Sequence, residues 1–167
     1  MGRRGSGITP GQRLKAVLEK ATPLLQRISE AEATQKPRPE KWSAKEIMGH
    51  LTDSAVVNHQ RFVKGSHQEH LILDGYRQDA WVSAQQYQAR KWKDILALWE
   101  RLNKHIADFV GLIPIEVLDR SVSKHNLDQI LMNPITKSQP ASLRMLIDDY
   151  IDHMIHHLRQ VISDFTP

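Results

Sequence analysis

Asp152-His153-Met154-Ile155-His156-His157-Leu158-Arg159-Gln160 is the stretch on which both the fold and the chemistry of this chain turn. It sits in a run where Leu146, Ile147, Tyr150, Met154, Leu158, Val161 and Phe165 recur every three or four residues, the period of an amphipathic helix. His153 and His157 are four residues apart. At about 100° per residue their imidazoles stack one turn apart on one face, where two neutral nitrogens can grip one metal ion. Both fall at the edge of the apolar stripe, whereas His156 falls nearer the polar face with Asp148, Asp152 and Arg159. Nine histidines in 167 residues generate about 0.5 such pairs by chance, so the pair needs a third ligand before it carries weight.

Trp42-Ser43-Ala44-Lys45-Glu46-Ile47-Met48-Gly49-His50-Leu51 supplies one. Ser43 and Glu46 have the spacing of a capping box, so a helix starts here. His50 lies about two turns in, at the edge of a stripe formed by Ile47, Met48, Leu51, Ala55 and Phe62, on the side that also carries Ser54 and Arg61. Two helices thus offer imidazoles beside a shared core. Three imidazoles leave a fourth position open, the pattern of a catalytic rather than a closed structural site, and such nitrogens suit zinc, nickel or iron(II). Each histidine taken singly reads equally well as a core-edge imidazole satisfied by one hydrogen bond.

These residues resemble a known family. Lys41 to Ser54, followed by Asn58-His59-Gln60-Arg61-Phe62, is similar to the first signature of the DinB/YfiT-like superfamily of metal-dependent enzymes. Tyr150 to His157 is similar to the second, and Gly75 to Val82 and Trp92 to Leu102 resemble the region between, so the resemblance spans roughly residues 10 to 165. It implies a four-helix bundle and a divalent metal on His50, His153 and His157, the three that the helical faces select independently. It also implies hydrolase chemistry or transfer involving a low-molecular-weight thiol, with a small-molecule substrate, and it leaves a homodimer open.

Around this centre, Asp53 is a candidate to orient a ligand or to act as a general base, against the plainer reading of a solvated helix acid. Asp149 and Gln160 share the ligand side of the last helix. Asn58 and Arg61 are candidates to line a pocket, with Arg61 suited to an anionic substrate group and a surface ion pair as the plainer reading. The four tryptophans read as core or interface residues. His59, His67, His70, His105 and His125 have no partner at ligand spacing and read as surface residues.

Composition narrows the rest. The absence of cysteine excludes disulfides, a thiol nucleophile and sulfur ligands, leaving imidazole and carboxylate for metal chemistry. A formal charge of +4 is spread among 23 basic and 19 acidic residues rather than massed in a stripe, which disfavours a nucleic-acid-binding bundle. No apolar run is long enough for a membrane span or a signal peptide, so the expected location is the cytoplasm. The alternative to an enzyme is a non-catalytic metal-binding or stress-response module.

Along the chain, a flexible terminus is expected over residues 1–9 and a single bundle domain over 10–167. The first helix is expected from Pro10 to Glu30, interrupted at Pro23 by a kink or a fresh start at Thr22, the second from Ser43 to Lys64, the third from Ser83 to Val110, and the last from near Ser142 to Asp164. Loops or short turns are expected from Gly65 to Val82, and the long irregular connection of about 25 residues before the last helix is expected to be functional or to contain short structure. The fold class is all-α, a four-helix bundle with long crossover connections.

Overall fold

In the computed structural model, residues 7–167 are described. The expectation of a flexible terminus therefore falls largely on residues outside that range. Four long helices carry the architecture: α1 (Pro10–Gln26), α3 (Ala44–His67), α5 (Trp92–Leu112) and α8 (Leu143–Val161). Between them lie the short helices α2 (Glu30–Thr34), α4 (Gln78–Gln85), α6 (Ile115–Leu118) and α7 (Leu127–Ile130), with a 3-10 turn at Tyr87–Ala89. Among the described residues no strand forms. Two isolated bridges, Leu71 with His125 and Val122 with Ala141, pin the long connections together. No described helix is long and apolar enough to cross a membrane.

The helix starts follow local chemistry. Thr9, Ser29 and Ser43 each close a capping box, with Gln12, Glu32 and Glu46 as the reciprocal partners. The apolar stripes then meet in one core that runs from Leu14 to Phe165. Phe62 on α3 packs edge-on against Tyr150 on α8, with ring centroids 5.5 Å apart. Tyr150 Oη donates to Asn103 Oδ1 on α5, and Asn103 Nδ2 donates to the Trp99 carbonyl at 2.9 Å, so the buried polar groups of these two side chains are paired. Arg13 on α1 ties to Asp148 and Asp152 on α8. The buried Lys45 ammonium on α3 pairs with Glu30 of α2, whose carboxylate also accepts from the Trp92 amide at the start of α5.

The structure corrects the helix map in three places. α1 runs through Pro23 rather than restarting at Thr22, and ends at Gln26, short of Glu30. The bond that proline forfeits is the one to the carbonyl four residues back, and only the final turn remains to be held. The expected third helix is instead the end of α4, the 3-10 turn and α5, and α4 already starts at Gln78, inside the stretch expected to be loop or turns. α4 stops at Gln85, Gln86 adopts a left-handed backbone at φ 51°, and α5 begins only at Trp92. This break lets Tyr87 turn its ring onto α3. The long connection before α8 does contain short structure, one of its two expected readings: it holds α6 and α7 and is tied by both bridges.

Gly49, immediately before His50, makes room for that ring. A Cβ at this position would lie 2.1 Å from the Tyr87 side chain. Gly49→Ala should therefore lower the unfolding free energy by about 1–3 kcal/mol through overpacking. In urea unfolding, the Gly49→Ala/Tyr87→Ala double variant should lose less than the sum of the single losses. Strict additivity would show that the two residues do not collide.

Candidate metal centre

α3 and α8 run side by side, and each turns the edge of its apolar stripe toward the other. His50 from α3 meets His153 and His157 from α8, and one ring nitrogen from each can be chosen so that all three lie within 4.8 Å of one another. His50 Nε2 and His153 Nε2 are 3.2 Å apart. The rings stand nearly perpendicular, with centroids 5.1 Å apart for His50 and His153, 4.7 Å for His50 and His157, and 4.6 Å for His153 and His157. Trp42, just ahead of the Ser43 cap, lies against the other side of His50 at 5.2 Å between centroids. His156 is exposed and lies outside the group of three, with its ring edge-on against His157 at 5.1 Å between centroids.

Burial sets the charge state of the cluster. Desolvation, with the neighbouring imidazole as a smaller cause, pushes His50 down to about 4. The same two causes push His153 down to about 3, and burial also lowers His157. The three rings are therefore neutral at pH 7 and present lone pairs. Gln160 Oε1 accepts from His157 Nδ1 at 3.0 Å, which leaves Nε2 of that ring as the acceptor. His50 Nδ1 is buried with no hydrogen-bond partner.

The donor set fits a divalent ion. Ligands at 2.0–2.1 Å in tetrahedral array sit about 3.3 Å from one another, close to the 3.2 Å between His50 and His153. Neutral lone pairs aimed at one point repel unless a cation or a proton lies between them.

The other candidates divide. Asp53 is not a solvated helix acid: it is buried, because α4 and the 3-10 turn cover that face of α3. Its Oδ1 accepts from Tyr87 Oη at 2.6 Å and Gln85 Nε2 at 3.0 Å, and burial raises its pKa. None of its hydrogen bonds reaches the three histidines. Asp149 is turned away from the ligand nitrogens and accepts from the amides of Met132 and Asn133 at 2.9 and 3.0 Å, while Gln160 does meet His157 as expected. Arg61 forms no surface ion pair. It is buried with Asn58 in the wall of a cavity of about 330 Å³ that also reaches His153. A larger cavity of about 990 Å³ borders His157 and Trp42 on the other side.

His125 is not a surface residue. It is buried between the Gln139 carbonyl at 2.7 Å and the Leu127 amide at 3.2 Å, where it holds the long connection. His59 and His105 stack at 5.0 Å across α3 and α5, a pairing between helices that spacing within one helix cannot reveal. Trp92 and Trp99 are core residues, whereas Trp81 is partly exposed. Trp42 reads as core or interface by its type and Tyr87 carries no sequence reading, because neither belongs to a helical stripe that would place it beside His50 or Asp53. The one local signal is that Trp42 stands just ahead of the Ser43 capping box.

A sequence profile of the DinB superfamily matches residues 13–161. The chain belongs to the DinB superfamily. Its structure superposes with a TM-score of 0.72 on a solved protein described as "YfiT from Bacillus subtilis is a probable metal-dependent hydrolase with an unusual four-helix bundle topology". The two share 17% sequence identity, and the match covers 96% of this chain and 89% of that one. At this identity the likeness establishes the DinB fold. No curated protein sequence matches the chain.

The cluster predicts an acid sensitivity of the metal-free protein. An unfolded histidine takes up its proton near pH 6.5, whereas His50 and His153 do so near 4 and 3. Between these limits the unfolded chain holds more protons, so stability is full above about pH 6.5 and is lost as pH falls, by up to about 1.4 kcal/mol per pH unit for each histidine. Urea midpoints of metal-free protein should drop between pH 7 and pH 5, and less steeply in His153→Gln. A parallel pH dependence in the two proteins would contradict the assignment.

Proposed function

We propose that this DinB-superfamily chain is a metal-dependent enzyme in which His50, His153 and His157 hold one divalent ion and leave a coordination position open to a small-molecule substrate. The observation that carries this reading is the convergence of three neutral imidazoles from two helices at ligand spacing. The description of the superposed Bacillus subtilis protein as a probable metal-dependent hydrolase supports the hydrolase form of it. Bound there, a zinc, nickel or iron(II) ion supplies Lewis acidity to a substrate oxygen or sulfur.

The chain's own residues prepare the position. Gln160 fixes the tautomer of His157, and Trp42 shields His50 from solvent. Asp53 acts through position: together with Tyr87 and Gln85 it locks the cover over α3 and so sets the rotation of the helix that delivers His50. The larger cavity beside His157 leaves room for a second reactant, which favours a thiol-dependent transferase as the second reading. The chain has no cysteine, so in that reading the thiol belongs to a co-substrate.

Protein purified without a polyhistidine tag should bind one equivalent of zinc or cobalt(II). His50→Ala, His153→Ala and His157→Ala should each lower affinity by tenfold or more, and His156→Ala should leave it unchanged. In the cobalt protein, a small thiol or carboxylate should shift the visible spectrum saturably. Equal loss in all four variants would refute the ligand set, and a spectrum indifferent to every added donor would make the site structural. Retention should also weaken as pH falls below about 6.5, because protons and metal compete for the same lone pairs.

A further inference from the structure

The cavity of about 330 Å³ between α3, the segment around Tyr76 and α8 holds a cation without an anionic partner. Arg61 is 9% exposed. Its Nη1 donates to Asn58 Oδ1 at 3.4 Å and its Nη2 to the backbone carbonyl of Asp74, while Nε is buried with no partner. Among the described residues no carboxylate lies within ion-pair distance of it. The acid in the same wall, Asp149, is already engaged by the amides of Met132 and Asn133. A guanidinium drawn out of water and hydrogen-bonded only to neutral acceptors is costly, and burial lowers its pKa, with Tyr76 and Asp74 as smaller opposing causes. The fork of donors it retains is matched to a carboxylate or phosphate.

The same wall carries His153. A small molecule in this cavity therefore reaches from a fixed positive charge at Arg61 to the three-histidine centre. We propose that the cavity binds the carboxylate or phosphate end of a small substrate on Arg61, with the reacting end turned toward the histidines. This rests on the reading of the histidines as the reactive centre, and it assigns the substrate class: small, anionic at one end, with its reactive group at the other. Asn58 and the Asp74 carbonyl act as positioning groups that hold the guanidinium in the wall.

The test uses the full chain stripped of metal, so that no ion competes for the anion. Sodium propionate and inorganic phosphate are titrated by calorimetry at an ionic strength matched with sodium chloride. Saturable binding of either is expected, the tighter one naming the anionic group, and Arg61→Gln should weaken it about tenfold or more, the worth of a charged hydrogen-bonded contact. Binding no stronger than that of chloride, or equal in wild type and Arg61→Gln, would overturn the proposal. Should Arg61→Gln not fold, nitrogen NMR of the wild type decides: the Arg61 Nε–H resonance should move saturably with added propionate or phosphate, and a stationary resonance would overturn the proposal. Zinc stoichiometry is read separately. Loss of zinc binding in the wild type would withdraw the three-histidine reading while the anion result stood on its own.

Discussion

Everything at this centre depends on how α3 lies against α8. To the centre α3 brings one imidazole and α8 a pair, and a pair alone makes a poor divalent site. The seam between them is set by large apolar contacts, with Phe62 against Tyr150 and Met48, Leu51, Ile147 and Met154 buried around them. Burying such side chains contributes roughly 1.5–3 kcal/mol each before the entropy of ordering the chain is deducted. That energy offsets the cost of withdrawing three imidazoles from water, which appears as their depressed pKa values. Packing thus holds the rings neutral and convergent, the condition in which their lone pairs can be shared by one cation.

The periodic residues were legible, and so was the cap of α3, whereas the capping boxes at Thr9 and Ser29 were not read. Ser43 and Glu46 mark the start of α3, and the stripe of α8 places His153 and His157 together while turning His156 outward. These relations lie within one helix, where the geometry is fixed by the backbone. The connections were not legible in the same way. The break at Gln86 answers to the packing of Tyr87 over Gly49, a contact between residues 38 positions apart that leaves no period in the sequence. For the same reason Asp53 reads as a solvated acid until the segment that buries it is in place, and His125 reads as surface until Gln139 and Leu127 close on it. Arg61 shows the mixed case, since its helical face was legible but its lack of a carboxylate partner depends on how the Asp74 segment crosses α3.

The surroundings of the three histidines are unequal on their two sides. Toward His153 lies the smaller cavity with its buried guanidinium. Toward His157 lies the larger one, with Lys36, Arg38 and Lys41 in its rim beside Glu32, Glu40 and Asp79. The paired Gln160 on one ring and the unpartnered Nδ1 of His50 on another make the donors unequal too. Such asymmetry orients a substrate, because the group that satisfies one side does not satisfy the other.

The most direct test of the central claim is X-ray absorption at the zinc edge, on tag-free protein loaded with one equivalent of zinc. Three convergent imidazoles predict a first shell of about three nitrogens at 2.0–2.1 Å with the outer-shell scattering of imidazole rings, plus one exchangeable oxygen donor. A shell of oxygen donors without imidazole scattering would contradict it, as would zinc that remains in the solvent.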